Sequence, residues 1–344
     1  MKKSLLALAV LGAFAGAASA QSSVTIYGII DVGVAKINDG TSPIGATPNA
    51  AAATFGDPGV IGTHDVWHVR SSTSSRLGFR GTEDLGGGMK ANFQIEHRLD
   101  PSNGQNESGA AAMWHGASWV GVSGGFGEVG LGRQYVPMFY TGLAMDPWGY
   151  DYNVAGAAGY TRANSFSRAN NAVTYLTPNF GGFTGQVQVA AGEGVAASSA
   201  LGNTGNRLIG FNVRYTAGPL DVGLGYNDID DPTTNRHWNL VGSWDLGMVK
   251  PIVGYASGET TVGDTKQWLI GARAPIGPGT LKAVYARSSL DPAGAAAEFD
   301  TSKFGFGYEY ALSKRTSVHA DYGSAKTDGL TRSNGFEVGL KHVF

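Results

Sequence analysis

Val24-Thr25-Ile26-Tyr27-Gly28-Ile29-Ile30-Asp31-Val32 sorts its side chains by rank. Val24, Ile26, Ile30 and Val32 fall on one parity, and Thr25, Tyr27 and Asp31 on the other. Successive residues of a β-strand point to opposite faces. The segment therefore has one apolar and one polar face. The same division returns along the chain. Ala91, Phe93 and Ile95 oppose Lys90, Asn92, Gln94 and Glu96. Ile209, Phe211, Val213 and Tyr215 oppose Asn212 and Arg214, and Phe304, Phe306, Tyr308 and Tyr310 oppose Gly305, Gly307 and Glu309. No Asp, Glu, Lys or Arg stands on the apolar parity of these segments.

About sixteen such segments are readable, near 23–37, 66–82, 88–99, 113–123, 126–135, 168–178, 182–192, 206–217, 219–229, 236–245, 248–258, 264–275, 279–289, 300–311, 315–325 and 333–344. Most have about ten residues. A tilted membrane-crossing strand needs roughly 9–11, whereas globular strands average about 5–6. The connections alternate between tight turns, such as Glu83 to Gly88, and long loops, such as Asn38 to Asp65 and Val136 to Ser167. Short turns on one side and long loops on the other mark an outer-membrane barrel. Both termini fall on the tight-turn side, which requires an even strand number. A soluble β-sandwich also alternates apolar and polar positions. Strand length, loop asymmetry and many aromatic residues near strand ends argue against it. Tyr27, Trp119, Tyr175, Tyr215, Tyr226, Trp238, Trp244, Tyr255, Trp268, Tyr285, Tyr308, Tyr310 and Tyr322 are candidates for interfacial girdles. The expected fold is all-β: a transmembrane antiparallel β-barrel of about 16 strands. With that many strands its polar inner face surrounds an aqueous channel.

The first twenty residues read as a signal peptide of bacterial type. Lys2 and Lys3 precede a short apolar run, Leu5 to Ala18, and Ala18-Ser19-Ala20 is a cleavage site. A single barrel domain is expected over residues 21–344. The 53 Gly in 344 residues far exceed the usual share of about 7%. Cysteine is absent, so neither a disulfide nor a thiolate metal site is available. Without Lys2 and Lys3, 25 basic residues become 23 against 27 acidic ones, a net charge of −4. That charge argues against nucleic acid as a partner.

Three stretches resemble the general porin family of Gram-negative bacteria, in its β-proteobacterial branch. They are Gln21-Ser22-Ser23-Val24-Thr25-Ile26-Tyr27-Gly28, the run Ser75-Arg76-Leu77-Gly78-Phe79-Arg80-Gly81-Thr82-Glu83-Asp84-Leu85-Gly86-Gly87-Gly88, and the run Arg168-Ala169-Asn170-Asn171-Ala172-Val173-Thr174-Tyr175-Leu176-Thr177-Pro178-Asn179-Phe180-Gly181-Gly182. The ending at Phe344, with apolar residues alternating before it, resembles the family's assembly signal. The resemblance implies a homotrimer in outer-membrane lipid and lipopolysaccharide, inserted by the barrel-assembly machinery through the last strand. It also implies that residues 136–167 form an inward-folded constriction loop. By the same resemblance, Arg76 and Arg168 belong to a basic wall, with Arg80 and Arg133 as further candidates. Asp146 and Asp151 of the loop are the acids expected to face them, and Arg162 is a further candidate at the constriction.

The stretch Trp114-His115-Gly116-Ala117 departs from the pattern. Gly116 stands about where family members often carry another arginine, and His115 is titratable. A weak anion preference is the expected selectivity, and the expected function is passive diffusion of ions and small hydrophilic solutes. An outer-membrane barrel enzyme and an adhesion protein are the alternatives. No catalytic constellation, cofactor or metal site is assigned. Gly125-Phe126-Gly127-Glu128-Val129-Gly130 matches G-x-G-x-x-G but leads into a strand, which fails the context that motif requires. His64, Asp65 and His68 lie at a loop end and read as solvated surface.

Overall fold

The computed structural model describes residues 23–42, 44, 65–107, 110, 112–151, 153–161, 167–192, 207–230, 235–260, 263–294 and 298–344. The expected signal peptide lies outside the described residues. The sheet holds eighteen strand segments, which make sixteen crossings. Trp67–Arg70 and Arg76–Gly86 are two parts of one crossing, because both pair along the first strand. Gln105–Asn106 pairs only with Leu99 and Asp100, past the end of its crossing. The crossings are β1 (Ser23–Ile37), β2 (Trp67–Arg70 and Arg76–Gly86), β3 (Met89–Asp100), β4 (Ala117–Gly124), β5 (Gly127–Tyr135), β6 (Arg168–Leu176), β7 (Phe183–Ala190) and β8 (Arg207–Ala217). They continue as β9 (Leu220–Asp230), β10 (Asn235–Trp244), β11 (Lys250–Thr260), β12 (Gly263–Ile276), β13 (Gly279–Pro292), β14 (Phe299–Ala311), β15 (Thr316–Thr327) and β16 (Ser333–Val343).

Each crossing pairs antiparallel with its neighbours in sequence, and β1 pairs with both β2 and β16. Hydrocarbon offers no hydrogen-bond partner to an open sheet edge, so closure is obligatory. The seam is drawn tight at its lower end. Gly28 N donates to Phe344 O at 3.0 Å, and Phe344 N donates to Gly28 O at 3.1 Å. The Phe344 ring lies where a Gly28 side chain would stand. Tight turns join the strands on this side. In the β2–β3 turn Gly86, Gly87 and Gly88 all have positive φ, a conformation that glycine adopts without steric cost.

Alternation is visible in exposure. Along β12, Thr265, Gln267 and Leu269 are buried while Lys266, Trp268 and Ile270 are exposed. Val24 and Ile26 are 64% and 59% exposed, as lipid-facing side chains are in an isolated barrel. Outward aromatics pair across strands: Phe211 with Tyr226, Trp238 with Tyr255, and Trp268 with Tyr285. Two residues further toward the long loops the same outward parity carries Arg236, Lys266 and Arg287, which marks the upper edge of the hydrocarbon. Tyr27 and Trp119 do not join the girdle. They share the inward face with Arg80 and Gln94 and bond there: Tyr27 Oη to Glu96 at 3.0 Å, Trp119 Nε1 to Gln94 at 3.1 Å.

Deleting Phe344 removes two backbone hydrogen bonds and the ring over Gly28. The expected loss is about 1–3 kcal/mol of barrel stability, read as a lower temperature for conversion of the folded to the unfolded band in detergent gels.

Candidate functional site

The described part of the segment between β5 and β6 runs through the lumen. Val136 N donates to Ser167 O at 3.0 Å and closes its neck. Pro137 opens helix α1 (Pro137–Met145), a position where its missing N–H costs nothing. Asn212 and Asn239, on β8 and β10, donate to the carbonyls of Pro137 (2.7 Å) and Met138 (3.2 Å). The chain then passes along β11 to β16, and glycines make room for it. A Cβ at Gly254 would meet Met145, and one at Gly271 would meet Pro147. At Gly305 and Gly323 it would strike the carbonyls of Ala155 and Val154. Gly254 and Gly305 alternate with exposed apolar residues, Val253 and Tyr255 in one strand and Phe304 and Phe306 in the other.

This loop corrects one reading of the sequence. The inward parity is not polar throughout. Met145, Trp148, Ala155, Ala157 and Tyr160 form a dry cluster with Val241, Ile252, Leu269, Val284 and Ala286 of the wall. These wall residues stand on the inner face, where water was expected. Hydrophobic burial fastens the loop here, as it fastens any core element.

Asp146 and Asp151, both expected to face the basic wall, have different places. Asp146 is fully buried. Its carboxylate accepts from the backbone N–H groups of Trp148 (3.2 Å), Tyr150 (3.0 Å) and Ala157 (3.4 Å). Burial raises its carboxyl against the pull of those donors. Arg273 holds the carbonyls of Asp146 (2.8 Å) and Pro147 (2.6 Å). Asp146 thus clasps the loop together and does not line open water. Asp151 reaches Lys341 at 3.8 Å. Around it Glu309 accepts from Lys341 and Lys282, both at 2.8 Å. His319 bridges Asp31 (3.1 Å) and Asp321 (2.7 Å), and Asp321 accepts from Trp148 Nε1 at 2.7 Å. Val154 N donates to Glu337 at 3.2 Å. Arg162 lies outside the described residues.

The basic side lies on β2, β3, β5 and β6. Arg76 and Arg98 are directly paired across β2 and β3. Arg98 and Arg168 both donate to the Tyr135 hydroxyl, and the Arg168 guanidinium lies 4.1 Å from the Tyr135 ring centroid. Tyr135 stacks on Phe139 of α1, with centroids 4.1 Å apart. Glu96 accepts from Arg98 at 2.7 Å and lies within electrostatic reach of all three arginines. Arg76 Nε donates to Ser74 O at 3.0 Å. Its terminal nitrogens have no partner among the described residues. Like charges directly opposite repel, so the cluster leans on Glu96 and Tyr135.

Arg98 is the member that motif reading missed. Its signal was plain parity, since Lys90, Asn92, Gln94 and Glu96 continue to rank 98. A Cβ at Gly116 would press on Glu96, so an arginine has no room there, and Arg98 supplies charge from the neighbouring strand. His115 adds none at neutral pH, because burial lowers its imidazole. Arg133 donates to His115 O (2.7 Å) and Asn170 Oδ1 (2.6 Å) beside a register break in β5. Arg80 sits apart. It is four residues from Arg76, about 13 Å along the strand toward the tight turns, over the Tyr27 ring at 5.2 Å. Asp65 pairs with Lys36 at 3.0 Å, and no group of metal-binding side chains occurs among the described residues.

Residues 7–330 match the family model described as Gram-negative porin. The chain belongs to the Gram-negative porin family. This porin is 34% identical to outer membrane porin protein 32 of Delftia acidovorans and 30% identical to an outer membrane porin protein of Bordetella pertussis, each match covering 100% of both chains. Among solved structures it superposes on the anion-selective porin from Comamonas acidovorans with a TM-score of 0.75 at 28% identity, over 94% of this chain and 100% of that one. OmpT of Vibrio cholerae, at 16% identity and a TM-score of 0.70, covers 95% of this chain and 99% of its own, and shares the fold alone. The porin is an outer-membrane channel through which small hydrophilic solutes diffuse.

Valine at Gly305 or Gly323 should lift the loop off the wall and into the lumen. Single-channel conductance is expected to fall while the folded band persists in gels. Gly125→Val, with nothing within 4 Å of its added Cβ, should leave conductance unchanged.

Proposed function

We propose that this porin passes anions in modest preference to cations and performs no covalent chemistry on its solutes. The observation that carries the reading is the unpartnered end of Arg76, set beside Arg98 and Arg168 with Glu96 as their shared carboxylate. Rings of like charge select ions at a constriction, and residues 136–167 form that constriction. On the adjoining wall stand Asp31, Glu309 and Asp321, with Asp151 of the loop beside them, in part matched by Lys282, Lys341 and His319. The charge of Asp151 acts on Arg76, so a passing ion meets basic and acidic walls together. That opposition keeps the preference weak. The anion selectivity of the Comamonas acidovorans porin supports the same sign.

The functional unit is a homotrimer. Outward aromatic residues run over β6 to β16, from Tyr175 to Phe336, whereas β1, β4 and β5 present Val24, Ile26, Ile30, Val120, Val122 and Leu131 outward. A smooth aliphatic face of that kind suits a neighbouring barrel better than a lipid interface. Arg236, Lys266 and Arg287, above the belt, suit lipopolysaccharide phosphates. The last strand, ending in Phe344, is the part presented to the barrel-assembly machinery.

Arg76→Gln and Arg168→Gln should each lower the anion-to-cation permeability ratio by about twofold or more. Reversal potentials in a salt gradient across planar bilayers measure it, and an unchanged potential in both would defeat the assignment. Burial pushes the Asp151 carboxyl up to about 6, against Lys341 and Lys282. Lowering the pH through that value neutralises Asp151 and removes a negative charge from the pore. Anion preference should therefore rise as pH falls, and Asp151→Asn should abolish that step.

A further inference from the structure

Tyr135 and Arg168 stand at the neck of the constriction loop. They are the last residue of β5 and the first of β6, and they pair directly across the two strands. Their neighbours Val136 and Ser167 close the neck through the backbone. The Tyr135 ring is used on both faces. Phe139, in the first turn of α1, lies parallel to it, with centroids 4.1 Å apart and 7° between the planes, so it covers one face. The Arg168 guanidinium carbon is also 4.1 Å from the ring centroid. One face has no room for two groups at that distance. The guanidinium therefore takes the other face, in a cation–π contact.

Both ends of this stack are informative. Phe139 is anchored: it packs with Val136, Tyr150 and Ala158 of the loop and with Leu208 and Ile229 of the wall. Arg168 depends on the tyrosine. It is half-buried, and its bond to the Tyr135 hydroxyl is its one hydrogen bond among the described residues. Its Nε is buried without a partner among them. Arg98 shares the same hydroxyl, but it is also held by Glu96 at 2.7 Å and by Ser74. An arginine side chain has many rotamers to regain when it is released, and like charge repels it. Without the tyrosine, little keeps the Arg168 charge beside Arg76 and Arg98.

We propose that Tyr135 is a positioning residue that determines selectivity: it fixes the Arg168 guanidinium at the constriction and ties that charge to the loop through Phe139. The ring and the hydroxyl have separate parts. The ring face locates the guanidinium and couples it to α1. The hydroxyl orients it and holds it level with Arg98. The proposal rests on the anion reading of the channel, in which Arg168 is one of the selecting charges. A tyrosine that merely filled space at the neck would affect the loop, and its removal would act whether or not Arg168 were present.

The test compares Tyr135→Phe and Tyr135→Leu, each with and without Arg168→Gln, in the folded protein. Reversal potentials in a potassium chloride gradient give the anion-to-cation permeability ratio. Modification by phenylglyoxal, followed at Arg168 by mass spectrometry, reports how firmly that side chain is held. Tyr135→Leu should lower the ratio about twofold, as far as Arg168→Gln does, and Arg168 should react severalfold faster. Tyr135→Phe keeps the ring and should lie between Tyr135→Leu and the wild type; it carries the comparison if the leucine variant fails to fold. Neither substitution should lower the ratio further once Arg168 is glutamine. An equal fall in ratio with and without Arg168 overturns the proposal. So does a Tyr135→Leu channel with unchanged ratio and unchanged reactivity while Arg168→Gln lowers the ratio, and that result leaves the anion reading intact. Faster modification in Tyr135→Leu, with a ratio that neither it nor Arg168→Gln moves, keeps Tyr135 as the anchor of Arg168 and refutes the anion reading instead.

Discussion

Every backbone N–H and C=O at membrane depth needs a partner, and the hydrocarbon provides none. The structure meets this demand with a sheet that has no edge. Its sixteen crossings pair in sequence, and β1 is shared between β2 and β16. Closure then fixes everything else. It divides the side chains between lipid and lumen, sets both termini on one side, and puts the tight turns there with them. It also makes an interior wide enough to need an obstacle, since a sixteen-stranded wall leaves water in its centre.

The obstacle must itself be held, and a loop in water pays conformational entropy for staying in one place. Here it is secured in three ways. Missing side chains at Gly254, Gly271, Gly305 and Gly323 let its backbone touch the wall, and a dry cluster around Trp148 and Tyr160 seals the contact. Polar pins finish the work: Arg273 on two loop carbonyls, Asp321 on Trp148, Glu337 on Val154. The side of the lumen that the dry cluster leaves uncovered carries Arg76 and Arg168, with Arg98 buried beside them.

The barrel was legible because period two is a one-dimensional signal. Val24 and Ile26 could be assigned to lipid from rank alone, and they are exposed. The interior was legible only in part, because it depends on which strands meet the loop. Leu269 and Val284 sit at inward ranks, yet they are apolar and buried beneath Met145 and Trp148. Asp146 looked like a wall charge, but its carboxylate is consumed by three backbone donors of its own loop. Tyr27 and Trp119 looked like girdle residues until cross-strand register set them beside Gln94 and Glu96. Arg98 was within reach of the parity rule, but it lies beyond the motifs that single out Arg76 and Arg168. Register between distant strands and the fold of a long loop are three-dimensional facts, and residue spacing does not carry them.

The bonds between Gly28 and Phe344 have a temporal meaning as well as a spatial one. The first strand of the sheet finds its second partner only in the sixteenth, at Phe344. No sub-barrel made of the early strands can therefore close in the native way. Until the sixteenth strand arrives the sheet carries two unsatisfied rims, open to pairing with other strands. Arrival of the sixteenth strand and sealing of the wall are thus a single event.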